Sequence, residues 1–420
     1  MSNLRQRLDL PPALLGKGTE MDAGSSETAR CPAGTGRDDR KSAAMAASHV
    51  RPEKGARIAE NFAFAREILR SPDVRQSGAG AEQVVVDNPA HISFFFLDGE
   101  LHQRRRGAVA SYFAPKTIVT RYHPIMHRTI DALIADLQAR KSGPLDEMSF
   151  QMAVDVAAEI IGLTDSESRM ALARRIRRLL GVGLSLAGKT GASRFFGIAR
   201  MAYYSWVFCR KDLDPAVAAR RAAPREDVIS YMIKEGYSKK AMLIECLTYG
   251  SAGMMTTREF IVMAAWHVCG DAALKQRFLD GGEADQFAIL EEILRLEPVA
   301  AMLHRRAVKD IATTKSAPVP AGELLAIDIR RANSDEAIVG ACPFQLDPDR
   351  AKRMKTNGSY LSFGDGPHRC PGSQVALHET RIFLDRLLRV PGFRLASEPT
   401  ISWNSGIQGY ELRGAIAACD

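Results

Sequence analysis

The sequence predicts a mainly α-helical protein with small β-sheets, and three observations carry that expectation. Apolar residues recur at three- and four-residue spacing through 122–140, 149–162, 166–186 and 194–222. One long helix-compatible stretch runs from Ser238, a good N-cap residue, to about Val268. Strand signals are short: 304–308 and 324–329, separated by the turn Pro320-Ala321-Gly322, then Gly392–Leu395 and Tyr410–Ala418.

A chain of 420 residues allows two domains or one large one, and its 25% charged and 46% hydrophobic residues suit a sizeable core. Seven cysteines are scattered without a C-x-x-C pair, and this odd set argues for a reducing cytosol over a disulfide framework. The formal charge of +8 admits nucleic acid, an anionic membrane or an acidic protein as partner. Nucleic acid lacks support, because there is no basic low-complexity arm, zinc-finger spacing or aromatic-interleaved basic repeat. The longest apolar stretch, Phe260–Cys269, is too short to span a bilayer. Arg5, Arg7, Asp9 and Pro11 precede any apolar run, unlike a signal peptide, so a soluble cytoplasmic protein is expected.

Residues 1–55 have no sustained period and read as irregular or partly disordered, leaving 56–420 as the functional domain. Phe62–Leu69 is helical and stops at Ser71-Pro72. Val84–Val86 and Ile92–Leu97 are apolar; of Phe94, Phe95 and Phe96, at least two are expected in the core. A helix opening with His102 and Arg106 on one face closes near Phe113-Ala114-Pro115. The aromatic residues Phe195, Phe196, Tyr203, Tyr204 and Trp206 are expected mostly in packing.

Within the long central helix, Gly250 and Gly253, followed by Thr256 and Thr257, open a shallow groove although each glycine costs roughly 1 kcal/mol relative to alanine. That groove serves either close helix packing or a ligand. Glu292 and Arg295 stand at i and i+3, flanked on the wheel by Ile289 and Leu296, so the pair is expected to be buried; Pro298 ends the helix.

The most informative stretch is Phe363-Gly364-Asp365-Gly366-Pro367-His368-Arg369-Cys370-Pro371-Gly372. Its glycines let the backbone approach a flat ligand closely. Pro371 would be the first helical residue, so Cys370 would meet free backbone donors at a helix N-terminus, which lowers a thiol pKa and suits metal ligation.

This pattern resembles the haem-binding loop of the cytochrome P-450 family, and the other motifs follow in that family's order from about 56 to 418. The resemblance implies a P-450-like fold with haem b between the long central helix and the Cys-loop helix. Cys370 would be the thiolate ligand of the iron, with Phe363 and Gly364 beside it. His102, Arg106, Arg305 and His368 would reach the haem propionates. Thr256 matches the hydroxyl that helps proton delivery on the distal side. The acid usual just before it is replaced by Met255, which cannot relay a proton, so Glu259, one turn on, is the nearest substitute. Phe94, Ala252, Met255, Val299, Met302 and Ile407 would line the substrate pocket, and Glu292, Arg295 and Arg350 would form a structural brace.

The implied activity is monooxygenation of an apolar small molecule of terpenoid, steroid, fatty or aromatic type. No nicotinamide or flavin fingerprint is present, so electrons would come from a ferredoxin-type donor with its reductase. Arg104, Arg105, Lys116, Lys352, Arg353, Lys355 and Arg369 would offer that donor a basic face, and the enzyme is expected to be a monomer. Met255 keeps two alternatives open: a non-oxygenating haem sensor or carrier, and a peroxide-dependent or rearranging enzyme of the same fold. A zinc site at His368 and Cys370 lacks enough spaced ligands.

Overall fold

The computed structural model describes residues 52–78, 88, 91–185, 191–404 and 407–420. The segment 1–51 and the stretch Val84–Val86 lie outside the described residues. The architecture is mainly helical with small sheets, as the sequence predicts, three of them among the described residues.

The central helix is Lys239–Tyr249, a π-helical turn Gly250–Met255, and Thr256–Gly270 in unbroken succession. Ser238 caps it, accepting from the Ala241 amide at 3.2 Å. From Phe260 to Trp266 it is apolar all round and wholly buried, which marks a helix enclosed on every side there. It packs against the helices Leu145–Ile161 and Ser373–Leu388. Leu145–Ile161 stops at Gly162, whose φ of +98° closes the C-terminus cheaply only in a residue without a side chain.

The expected helices form at His123–Arg140, Leu145–Ile161, Arg169–Ser185, Gly191–Phe208 and Asp214–Ala222. The aromatic residues on Gly191–Phe208 do not mostly pack, contrary to the sequence reading. Phe195, Phe196, Tyr203 and Trp206 are exposed, and Tyr204 is turned toward the core.

Among the described residues nine strands form: β1 Arg57–Ala59, β2 Val74–Ser77, β3 Ser142–Pro144, β4 Met302–Ala307, β5 Leu324–Asp328, β6 Arg394–Ser397, β7 Thr400–Asn404, β8 Gly409–Arg413 and β9 Ile416–Ala418. They make sheets of order β1-β5-β4-β2, β3-β9-β6 and β7-β8. β1 and β2 carry too little alternation to be read locally; they exist because β5 and β4, some 230–270 residues away, offer unpaired edges. Under the four-stranded sheet lies a second core of Phe62, Phe64, Ile68, Leu325, Ile327 and Leu361, distinct from the main helical one. Among the described residues, no helix is long and apolar enough to cross a membrane.

Candidate active site

A cavity of about 320 Å³ lies between the central helix and the Cys370 loop. From the central helix it is lined by Tyr249, Ala252, Gly253, Thr256, Thr257 and Phe260, which fall within one face at 3.6 residues per turn. From the opposite wall come Phe363, Gly364, Cys370, Pro371, Gly372, Val375 and Ala376. Phe94 and Phe95, stacked at 4.4 Å on a 3₁₀ turn, close one side together with Val299 and Ala300.

The Cys370 loop is locked from beneath. Gly366 has a φ of +65°, and a Cβ there would stand 2.4 Å from the Leu69 carbonyl oxygen, so only glycine fits. Asp365 holds Arg70 at 2.9 Å and Arg66 at 3.0 Å, tying the loop to the Phe62–Arg70 helix. The Cys370 amide donates to the Phe363 carbonyl at 2.8 Å, which turns the sulfur toward the cavity.

Two local details differ from the sequence reading. The helix begins at Ser373 with Gly372 as its N-cap, so Pro371 precedes it and Cys370 lies upstream of the first turn. The thiol pKa is raised rather than lowered, because burial outweighs the Gly372 amide hydrogen bond and the Arg106 and Arg369 charges that favour the thiolate.

One edge of the cavity is cationic and under-bonded. The Arg305 guanidinium is buried, and burial pulls its pKa down to about 10 against the opposing charge of Asp98. Its Nη1 donates to the His304 carbonyl at 2.7 Å, leaving much of its donor capacity for a ligand. Arg106 also reaches the cavity, its Nη2 donating to the Arg369 carbonyl at 2.5 Å. His368 meets Asp98 at 2.9 Å, and its ring lies 4.2 Å from that of His102. His102 does not line the cavity; it is buried behind His368 with Nε2 lacking a hydrogen-bond partner. Burial first, then the neighbouring His368 and Arg106 charges, hold it neutral down to about pH 4.

This donor set fits haem. A soft sulfur ligand faces a slot walled by aromatic and aliphatic side chains, and buried donors gather where two carboxylates of a porphyrin would need them.

Besides His102, four expected site residues are placed elsewhere. Met255 and Glu259 share a face at the margin of the Ala252–Thr256–Phe260 stripe, and neither lines the cavity. Glu259 binds Arg258 Nη2 at 2.6 Å, Arg413 Nη1 at 3.0 Å and the Leu412 amide at 2.8 Å, so it joins the helix to β8 instead of relaying protons. Met302 points away because strand alternation sends Leu303 and Arg305 into the cavity. Ile407 is not among the lining residues, the nearby wall being Val299 and Ala300. Arg105 also leaves the expected basic face, buried over the Tyr237 ring at 4.9 Å.

Glu292, Arg295 and Arg350 meet in one buried cluster. Glu292 binds Arg295 at 2.7 Å and Arg350 at 3.1 Å, all three buried. Arg350 and Arg295 then hold carbonyls at Val339 and Asn333.

The sequence reading missed Phe95, Phe113, Tyr249 and Glu379 at the cavity. Glu379 could have been found from its spacing, because Val375, Ala376 and Glu379 share a helix face directed at the slot. Its Oε1 is buried without a partner, and burial, reinforced by Asp155, raises its pKa well above the usual carboxylate range.

A half-buried cysteine facing a slot with a cationic edge, beneath one long distorted helix, is an arrangement suited to a haem-thiolate site. The cytochrome P450 family profile matches residues 287–400. Mycinamicin IV hydroxylase/epoxidase of Micromonospora griseorubida is 27% identical over 335 residues, covering 76% of this chain and 77% of that protein. The biotin biosynthesis cytochrome P450 of Bacillus subtilis is 27% identical over 304 residues, covering 70% and 72%. The crystal structure of CalO2 superposes with a TM-score of 0.72 at 21% identity, covering 91% of this chain and 96% of that one, a likeness of fold. The chain is thus similar to cytochrome P450 proteins in sequence over about three quarters of its length and in fold over most of it.

Proposed function

We propose that the protein is a cytoplasmic, monomeric monooxygenase whose haem b is held by Cys370 and whose substrate is an apolar small molecule of terpenoid, steroid, fatty or aromatic type. The observation that carries the proposal is the Cys370 sulfur facing a slot with under-bonded cations along one edge. When bound, haem supplies the reductive activation of dioxygen and the transfer of one oxygen atom.

The chain's residues divide the remaining work within a haem domain spanning 56–420. Arg106, Arg305 and His368 would bind the propionates, with His102 supporting His368 from behind. Phe363 and Phe113 exclude water near the sulfur, while the Gly372 amide donates to it. Phe94, Phe95, Ala157, Ile160, Phe260 and Val299 offer apolar contact to a substrate. Thr256 would hand on a proton at Oγ1, which donates to the Ala252 carbonyl at 2.6 Å in the resting helix. The π-helical turn at Gly250–Met255 loosens the backbone beside that hydroxyl. Electrons would arrive from an acidic ferredoxin-type donor drawn to exposed Arg104, Lys116, Lys352 and Lys355.

The test is the carbon-monoxide difference spectrum of the reduced, haem-loaded protein. A thiolate-type band that disappears in Cys370→Ser is expected; a band typical of imidazole ligation, or one surviving the substitution, would overturn the assignment of Cys370.

A further inference from the structure

The helix Gly191–Phe208 is apolar on two opposite faces. Gly197, Met201, Tyr204 and Phe208, at spacings of four, three and four, turn toward the core. On the other side Phe195, Ala199, Ala202 and Trp206 repeat the same spacing, with Phe196 and Tyr203 beside them. This outer face is not a scatter of single residues: Phe195 is 69% exposed, Phe196 66%, Trp206 61%, Tyr203 60% and Ile198 51%. Tyr203 stacks near Trp206 at 6.4 Å, and Phe195 meets Phe196 at 5.9 Å edge to face, so the rings form two clusters along one face with exposed Ala199 and Ala202 between them.

The charges around that face have one sign. From Arg169 to Phe208 the sequence holds no Asp or Glu. Arg194 and Arg200 are exposed on the flanks of the aromatic face. On the neighbouring helix Arg169–Ser185, Arg174 and Arg178 are exposed, one turn apart and in line with exposed Met170. Arg175 and Arg177 do not contribute, being tied to Asp212 at 2.6 Å and Glu147 at 2.5 Å.

We propose that this helix docks on an anionic lipid surface, lying in the interface with its aromatic face among the acyl chains and its arginines at the headgroups. Three physical arguments favour lipid over the other occupants. Trp, Tyr and Phe bounded by Arg is the composition that partitions into a bilayer interface. A second copy would bring two acid-free basic hairpins together on a chain of net charge +8, which repels. An acidic protein would satisfy the arginines but gives no reason for so broad an aromatic face between them. Nothing in the docking spans the membrane, in keeping with a helix that also has a core-facing side.

The full, haem-loaded chain is tested with vesicles of phosphatidylcholine alone and of phosphatidylcholine with phosphatidylglycerol. Co-sedimentation with the anionic vesicles is expected to exceed that with the neutral ones by about tenfold or more and to weaken with salt. Trp206 is exposed while Trp266 is buried and Trp403 half-buried against Tyr410, so emission should shift to the blue and be quenched by brominated acyl chains, and Trp206→Phe should remove most of that quenching. The variant Phe195→Ser/Phe196→Ser/Trp206→Ser should lose binding about tenfold or more while keeping its circular dichroism and carbon-monoxide band. Absence of binding to anionic vesicles, quenching that survives Trp206→Phe, or vesicle binding unchanged in the triple variant would each overturn the proposal. So would a dimer in sedimentation velocity that the triple variant dissolves, because the face would then seat a second copy.

Discussion

The backbone amide of Leu412 donates to Glu259 Oε2 at 2.8 Å, joining the central helix to β8 across more than 150 residues of sequence. Arg258 and Arg413 complete the carboxylate's surroundings, at 2.6 Å and 3.0 Å. Glu259→Ala would leave two guanidinium groups facing an empty site and is expected to cost about 3–5 kcal/mol in denaturant unfolding. Product formed per dioxygen consumed should be unchanged in the folded fraction, because Glu259 does not face the cavity.

Thr256→Ala separates in the opposite direction. The hydroxyl bonds only the carbonyl one turn back, so its loss should change stability by less than about 1 kcal/mol. Coupling should suffer instead: dioxygen consumption continues while product falls roughly tenfold or more, as for loss of a proton-transfer group. Parallel oxygen-electrode and product measurements would show it.

Glu292 is expected to be the most sensitive structural carboxylate near the Cys370 side. It accepts from Arg295, Arg350 and the Asp347 amide, with both arginines almost wholly buried. Glu292→Ala should destabilise by about 3–5 kcal/mol and lower haem retention, read by urea unfolding and the ratio of haem to protein absorbance. Glu292→Gln should recover part of that loss by keeping one acceptor oxygen.

Acid sensitivity should come in part from His378. Its Nδ1 lies 3.0 Å from His123 Nε2, and burial, then the His123 charge, lowers its pKa from 6.5 to about 4. The unfolded chain takes up the proton first, so the contribution is fully present above pH 6.5 and is lost as pH falls toward 4. The loss is on the order of 3 kcal/mol. In His378→Gln the slope of unfolding free energy against pH should flatten within that window.

Reduction by an acidic ferredoxin should slow as ionic strength rises. Reversing exposed Lys352 and Lys355 to Glu should lower the association rate about tenfold at low salt and leave the carbon-monoxide spectrum intact. Stopped-flow reduction at several salt concentrations would measure it; a rate independent of salt would remove the basic face from the reading.

The Cys370 loop and the Glu292–Arg295 pair were legible because their meaning is local. Glycines at fixed offsets before a cysteine, and opposite charges one helical turn apart, keep their geometry in any packing. The failures share a cause. Met255 and Glu259 were correctly placed on one helix face, but only packing tells which face meets the cavity. Met302 was misplaced by one step of strand alternation, and β1 and β2 were invisible because their partners lie far along the chain. Arg105 looked like a surface charge until Tyr237 and Glu245 were found against it.

By itself, the sequence determined the mainly helical class, the Cys370 loop and the order of the motifs around it, since these follow from periodicity and short-range spacing. Tertiary structure alone decided which neighbours surround each charge. Burial and not the helix terminus governs the Cys370 thiol, Glu259 serves β8, and an aromatic face expected to pack stands open to solvent. The physical reason is that periodicity fixes how residues share a face, whereas desolvation and pairing depend on what the remainder of the chain brings against it.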